Sequence, residues 1–146
     1  MAECSRAATD GVQYWPVFLR DESAPGGYGA HVGAVGLRRY AATPTAYAAS
    51  CRGLSKVMEF GFHLRPEHWR KGLAVEAGTA VLRHAFETLQ VDAVFAGHNP
   101  KNEGSRKTLL KLGLEYTHDR LFPRTGLLHP SYLLKAFNGG HPPHAG

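Results

Sequence analysis

The chain has 146 residues, of which 43% are hydrophobic and 20% are charged, so it is long enough for one domain with its own core. Its formal net charge of +5 favours anionic partners, a class that includes nucleic acids, membrane surfaces and phosphate-bearing cofactors. The bases do not alternate with aromatic residues as in proteins that bind single-stranded nucleic acid. They flank two predicted helix starts, which favours a local phosphate site over nucleic-acid binding: Arg65, Arg70, Lys71, Lys101, Arg106, Lys107 and Lys111.

Cys4 and Cys51 are the only cysteines, and their spacing is not that of a metal site. The chain has no apolar run of about 18 residues and no apolar segment of a secretory signal at its start. These features predict a cytoplasmic protein that neither enters a membrane nor holds a metal. We expect a flexible leader over residues 1–11, a single domain over 12–137 and a disordered Pro- and Gly-containing tail over 138–146.

The spacing of apolar residues predicts an alternation of strands and helices. Strands are predicted at residues 12–20, 30–40, 58–64, 91–98, 114–122 and 131–137, and helices at 73–89 and 102–111. Pro16 confines the first strand to an edge or a bulge. In the third strand, the even-numbered residues share one face, and Glu59, Gly61 and His63 share the other. The long helix has an apolar stripe of the period that packs against a sheet.

The turn at residues 68–74 joins an apolar strand to a helix and is rich in basic residues. The first backbone N–H groups of a helix lack intrahelical partners, and together with the helix dipole they suit an anion such as a diphosphate. Gly72 removes the side chain that would hold the anion away, and Arg70 and Lys71 add positive charge. An ordinary loop with solvated bases explains the same residues. The spacing is neither that of a Walker loop nor that of a dinucleotide fingerprint.

The second helix begins at Asn102, which is a good N-cap, and ends before Gly113, which suits a left-handed residue after a helix. Capping alone explains both of these residues. It does not explain Ser105, which is expected inside the first turn facing the preceding strand.

In this order, the segments resemble the GNAT acyl-CoA N-acyltransferase superfamily, specifically its RimJ/RimL-like branch of ribosomal-protein N-terminal acetyltransferases. The resemblance covers residues 57–116 well and the outer strands loosely. Its matching residues are 59–64, Pro66, Trp69, 71–74, Glu76, Ala77, 85–87, Asn102, Ser105 and 111–114.

The resemblance implies an α/β fold with a mostly antiparallel twisted sheet, a central parallel strand pair that splays apart, and two main helices. It implies acetyl-CoA as the cofactor, with pantetheine in the gap beside residues 62–64 and 96–98 and the diphosphate on residues 70–74. Asn102 is expected to hold a pantetheine amide. The cofactor-binding residues implied are Phe62, His63, Leu64, Trp69, Arg70, Lys71, Gly72, Leu73, Ala74, Asn102, Ser105 and Lys107.

The implied reaction is direct attack of an amine on the acetyl thioester. A backbone N–H at Phe62 or His63 is expected to stabilise the oxyanion. The family's usual tyrosine donor falls at Leu109, so Ser105 is the candidate that protonates the departing thiol, with a purely structural serine as the alternative. A glutamate that some relatives use as the base falls at Gly97, which leaves Glu59, or else His63, as the candidate base. A surface or ion-paired glutamate without a catalytic role is the alternative for Glu59.

The acceptor stays open between peptide N-termini and small-molecule amines. A weak base favours an α-amine, whose pKa lies near 8, over a lysine side chain near 10.4. The alternative function is a non-catalytic CoA-binding or degenerate remnant of the same fold, and a nucleic-acid-binding domain is a third, less favoured reading. The family normally begins with a strand and two helices that have no counterpart before residue 12. We therefore expect a shortened domain whose first strand has an unpaired edge that favours a homodimer.

Overall fold

Among the described residues, six strands form one sheet and two helices pack on it. The structure, a computed structural model, describes residues 12–39, 54 and 56–136. The strands are β1 (Val12–Arg20), β2 (Tyr28–Arg39), β3 (Val57–Leu64), β4 (Ala93–Gly97), β5 (Glu115–Phe122) and β6 (Leu127–Lys135), and the helices are α1 (Leu73–Arg83) and α2 (Glu103–Lys111). The strand order is β1-β2-β3-β4-β6-β5, and of these neighbours only β3 and β4 run parallel. The predicted fold class is confirmed.

The alternation of side chains gives the two faces of the sheet different partners. Even-numbered residues of β3 and β4, such as Met58, Phe60 and Val94, join the main core with residues of both helices. Their odd-numbered neighbours, such as Val57 and Phe95, belong to a second, smaller cluster. We call the side covered by α1 and α2 the helix face, and the opposite side the far face. The side chains of Glu59 and His63 therefore point away from both helices.

Close packing holds α1 against α2 and β3. A Cβ atom on Gly78 of α1 would lie 2.9 Å from Leu112 Cδ1 and 3.2 Å from Phe60 Cζ. A glycine is thus required for the helix to lie this close to the end of α2 and to the central strand. Beyond Arg83 the helix continues as a wider π-helical turn over His84–Thr88, and the His84 ring packs edge-on against Trp15 at 5.5 Å.

The ends of several elements differ from the prediction. The sixth strand begins at Leu127, four residues before the predicted start, because the strand continues through Pro130. Pro130 pairs instead with Asp119 of β5, and its carbonyl accepts the His98 N–H at 3.4 Å. Since proline has no N–H to return a second bond to β4, the β4–β6 ladder ends there. The α-helix predicted to residue 89 ends at Arg83 and is followed by the π-helical turn.

β1 is an edge strand with a bulge between Val17 and Phe18, as Pro16 predicted. The homodimer expected through this edge remains a prediction. None of the described helices is long and apolar enough to cross a membrane. The predicted leader and tail, and both cysteines, lie outside the described residues.

Candidate active site

A gap opens between the two parallel strands. Their ladder contains the pairs Val57–Ala93, Met58–Val94 and Glu59–Phe95, and it stops there. β3 continues to Leu64 along β2, whereas β4 continues to Gly97 along β6. Each strand is therefore held only on its outer side beyond Glu59 and Phe95, which is the splay that the family resemblance implies.

Backbone polar groups line this gap. Arg65 N–H donates to the Val32 carbonyl of β2 at 2.8 Å, so by alternation the odd-numbered residues of β3 bond to β2. The even-numbered residues Phe60, Phe62 and Leu64 turn their N–H and C=O groups toward β4. Of the two oxyanion donors that the sequence left open, the Phe62 N–H thus faces the gap, whereas the His63 N–H faces β2. Backbone groups that lack a strand partner suit an extended ligand that carries amides.

The turn after β3 forms an exposed, uncapped helix start at one end of the gap. Gly72 is the N-cap of α1 with φ 76°, and no side chain caps this end. A Cβ atom built on Gly72 meets nothing within 4 Å, so the backbone N–H groups of the first turn are accessible. Arg70 also has a positive φ, 62°, which an L-residue rarely adopts, and both Arg70 and Lys71 are exposed. The turn thus combines three sources of positive potential, namely the free N–H groups at the start of α1, Arg70 and Lys71.

Trp69 fixes the start of this turn. Its side chain is 57% exposed, and its Nε1–H donates to the Leu64 carbonyl at 2.8 Å. That carbonyl lies on the gap side of β3, so the indole closes the end of the strand and sets where the basic turn begins. Leu73 and Ala74, the first residues of α1, are half-buried beside it.

The start of α2 lies at the same edge of the sheet, because α2 follows β4 and β4 runs parallel to β3. Asn102 caps the helix, as predicted, since its Oδ1 accepts the Ser105 N–H at 3.0 Å. The Ser105 side chain is half-buried, and its hydroxyl bonds to none of the described residues. By contrast, the Thr108 hydroxyl donates to the Gly104 carbonyl at 2.9 Å. Lys107 is exposed one turn from Glu103.

A tyrosine lies across the far face at the level of the gap. A Cβ atom on Gly36 would lie 2.4 Å from the Tyr14 ring, and one on Gly61 would lie 2.8 Å from the Tyr14 hydroxyl oxygen. The ring therefore crosses β2 and brings its hydroxyl over β3, between Glu59 and His63. Gly97 of β4 occupies the position level with Gly61, because the β3–β4 register places Glu59 opposite Phe95. We call Gly36, Gly61 and Gly97 the glycine row.

Comparison with known proteins agrees with this geometry. Residues 1–115 match the acetyltransferase (GNAT) domain family. The chain belongs to this family. Its similarity to the uncharacterized N-acetyltransferase YoaA of Bacillus subtilis (strain 168) is 37% identity over 57 residues, which is 39% of this chain and 32% of YoaA. The curated relatives it matches are thus aligned over about a third of their length.

Two solved structures share the fold at low identity. An acetyltransferase from Agrobacterium tumefaciens str. C58 has a TM-score of 0.61 at 22% identity, covering 90% of this chain and 66% of that protein. RimJ of Mycobacterium smegmatis, solved in complex with CoA-disulfide, has a TM-score of 0.64 at 17% identity, covering 92% of this chain and 58% of that protein. At these identities the likeness shows the fold that this chain shares with both proteins.

The predicted site residues of this GNAT domain fall on different sides of the gap. The turn at 69–74 and the start of α2 with Asn102, Ser105 and Lys107 border its wide end. The Glu59 and His63 side chains lie on the far face, where Glu59 is half-buried and His63 is exposed. Leu109, at the position of the family's tyrosine, is buried at 1% exposure in the core. Ser105 and Glu59 are therefore separated by the sheet, one at each face.

The sequence reading missed a buried pair next to Gly97. His98 Nδ1 lies 2.7 Å from the Asn99 carbonyl, which only accepts, so Nδ1 carries the proton. Nε2 is then an acceptor for the Tyr132 hydroxyl at 3.1 Å. Burial raises the pKa of Tyr132, so the phenol stays protonated and keeps donating. This pair of the GNAT domain fixes the loop that leads from β4 to Asn102, and only the cross-strand register brings its members together.

The contact between Tyr14 and the glycine row generates a stability prediction. Gly61→Ala is expected to destabilise the domain by about 1 kcal/mol or more, since the new methyl meets the Tyr14 hydroxyl oxygen at 2.8 Å. Tyr14→Phe removes that oxygen, and the Cβ atom at position 61 then lies 3.6 Å from the nearest ring carbon, Cζ. In this background Gly61→Ala should be neutral or stabilising. Urea unfolding of the four variants measures this coupling. Equal losses in both backgrounds would contradict the position of the tyrosine.

Proposed function

We propose that this GNAT domain transfers the acetyl group of acetyl-CoA to a primary amine by direct attack within a ternary complex. The observation that carries the proposal is the gap between β3 and β4, which ends at an uncapped, basic helix start. The gap opens on both faces of the sheet, so acetyl-CoA and the amine can reach it from opposite sides. Cytoplasmic location and the RimJ/RimL-like branch remain predictions that agree with this activity.

The residues around the gap fit the parts of coenzyme A. A diphosphate suits the N–H groups after Gly72, where no side chain stands in the way, with Arg70 and Lys71 supplying charge. Pantetheine suits the gap, where the Phe62 carbonyl accepts from one of its amides as a neighbouring strand would. Bound there, acetyl-CoA would supply the thioester for the reaction. Lys107 and Asn102 border the second side of this channel.

In the reaction the amine nitrogen bonds to the acetyl carbon, the carbon–sulfur bond breaks, and the amine proton is lost while the thiolate gains one. We assign the Phe62 N–H to stabilise the oxyanion, since it faces the gap. Glu59 on the far face takes the amine proton, directly or through water, with His63 as the alternative base. Ser105, whose hydroxyl bonds to none of the described residues, donates to the thiolate from the α2 side.

A second candidate function is CoA binding without acetyl transfer. Two positions favour it: Gly97 has no carboxylate where some relatives have a base, and Leu109 has no hydroxyl where the family has a tyrosine. Thiol release from acetyl-CoA, measured with peptides, amino acids, polyamines and alkylamines, distinguishes the two functions. Turnover above hydrolysis with any of these amines supports the enzyme. A uniform hydrolysis background, together with tight CoA binding, supports the binding protein.

Gly72→Glu is expected to abolish CoA binding, because it places bulk and negative charge where the diphosphate would lie. CoA at 100 times its dissociation constant should add about 2.7 kcal/mol to the free energy of unfolding of the unmodified protein and nothing to the variant. Gly126→Glu is the matched control, since Gly126 also has a positive φ, 68°, and also has open space around its Cβ position. If both variants kept the ligand-induced stabilisation, the diphosphate would not bind at this turn.

Asn102 is expected to have two functions that a pair of variants separates. Asp is as good an N-cap as Asn, so Asn102→Asp should keep the stability of α2 yet remove the amide donor proposed for pantetheine. Asn102→Ala should lose about 1 kcal/mol of stability as well. Calorimetric CoA titration and thermal unfolding measure the two effects. Unchanged CoA affinity in the Asp variant would leave Asn102 as a cap only.

Ser105→Ala is expected to lower kcat about 100-fold while CoA affinity stays nearly unchanged, because a thiol donor acts only in the transition state. Thr108→Ala is the control, since its hydroxyl is already bonded within α2 and should not affect turnover. Steady-state kinetics with a fixed amine and calorimetric CoA binding give the two numbers. Weaker CoA binding with unchanged kcat would assign Ser105 to the cofactor alone.

A further inference from the structure

A small cavity opens on the far face beside the gap. It has a volume of about 200 Å³, and its near wall is formed by Glu59, Phe95 and Gly97. These are the last paired residues of β3 and β4 and the glycine that follows. The cavity therefore begins where the two strands part, on the side of the sheet away from α1 and α2.

The outer wall of the cavity carries a positive charge. Arg120 of β5 and His129 of β6 are cross-strand partners, so both side chains lie on the far face. The Arg120 guanidinium is half-buried 6.0 Å from the centre of the Phe122 ring, and that ring stacks on His129 at 4.6 Å. No acidic side chain of the described residues pairs with Arg120.

The two walls have opposite charge. Glu59 lies on the gap side and Arg120 on the outer side. An ammonium group is complementary to the Glu59 carboxylate. A carboxylate is complementary to Arg120, because a guanidinium binds a carboxylate through two parallel N–H donors. A polycationic acceptor would meet Arg120 unfavourably in a chain whose formal net charge is already +5.

The volume limits the ligand further. Sites for drug-sized ligands measure about 300–1,000 Å³, so this cavity accepts a compact group of roughly amino-acid size. Gly97 lines the cavity without a side chain, and a Cβ atom built on it would lie 3.2 Å from the Pro130 carbonyl. This part of the cavity wall therefore presents backbone and no side chain.

We propose that this cavity is the acceptor subsite and that Arg120 selects a compact amine bearing a carboxylate, such as an amino acid or the end of a small peptide. The proposal rests on the acetyl transfer proposed above. The amine lies toward Glu59 and the gap, while the carboxylate lies against Arg120.

The test compares matched acceptors and matched variants. Amino carboxylates, aminophosphonates and alkylamines of equal length are offered to the unmodified protein and to Arg120→Gln, Arg120→Lys and Arg124→Gln. Arg124 is an exposed base in the turn after β5 and serves as the control. Initial rates of thiol release give kcat and KM, and calorimetry measures binding of the same acceptors to the CoA-saturated protein.

We expect the unmodified protein to prefer amino carboxylates to alkylamines. Arg120→Gln should raise KM and Kd for the carboxylates about 10- to 100-fold and leave the alkylamine unchanged. Arg120→Lys should recover part of this loss, and Arg124→Gln should resemble the unmodified protein. Preference for the aminophosphonate, an equal loss for the alkylamine, or no carboxylate preference would overturn the proposal.

The same measurements separate this proposal from the function it rests on. Acetylation of alkylamines without carboxylate selectivity would leave the enzyme standing and remove only the subsite. Absence of turnover with every acceptor would remove the enzyme. Calorimetry would then decide the subsite, since loss of carboxylate binding in Arg120→Gln alone supports it and binding unaffected by the variant overturns it.

Discussion

The candidate site depends on one interrupted ladder, because β3 and β4 stop pairing after Glu59 and Phe95. A broken ladder in the middle of a sheet leaves polar backbone groups unpaired, which is unfavourable unless water or a ligand satisfies them. Here the separation is held in place from outside. β2 and β6 continue to pair with the diverging strands, and α1 and α2 pack over the helix face through Gly78, Phe60 and Leu112. The gap is therefore built into the fold, and both helices begin at its wide end.

The glycine row shapes the far face at the level of the gap. Gly36 and Gly61 leave space that the Tyr14 ring fills, so the tyrosine hydroxyl reaches the central strand. Gly97 leaves space that no described side chain fills, and the cavity with Glu59 on its near wall lies there. A side chain at any of these three positions would collide with a neighbour or reduce that space. Glycines on three successive strands thus let Tyr14 lie over β2 and β3 and leave the cavity open beside Gly97 of β4.

Much of the fold followed from local sequence patterns. The alternation in β3, the edge position of β1, the Asn102 cap and the left-handed Gly113 depend on neighbours a few residues apart, and all agree with the structure. The early start of β6 was missed because a proline is tolerated where its strand partner ends, a condition that only the sheet reveals. Likewise, the side on which Phe62 presents its N–H depends on pairing with β2.

The parts of the site that the sequence did not yield are those created by register across strands. Tyr14 and Gly61 are 47 positions apart, and Tyr132 and His98 are 34 apart, yet each pair is in contact. Arg120 and His129 face each other only because of the β5–β6 register, which includes a bulge between Tyr116 and His118. No periodicity along the chain contains this information. The basic turn was visible from sequence because a helix start is a local feature.

The bases of this protein differ in how strongly water screens their charges. Arg70 and Lys71 are exposed, so their fields are long-ranged but weakened by salt, which suits attraction of a highly charged cofactor. Arg120 is half-buried against an aromatic ring, so its charge acts over a short distance and is screened less. A guanidinium in such a place would bind a carboxylate through two directed hydrogen bonds as well as by charge attraction. Burial thus distinguishes the exposed bases at the end of the gap from the half-buried arginine on the far face.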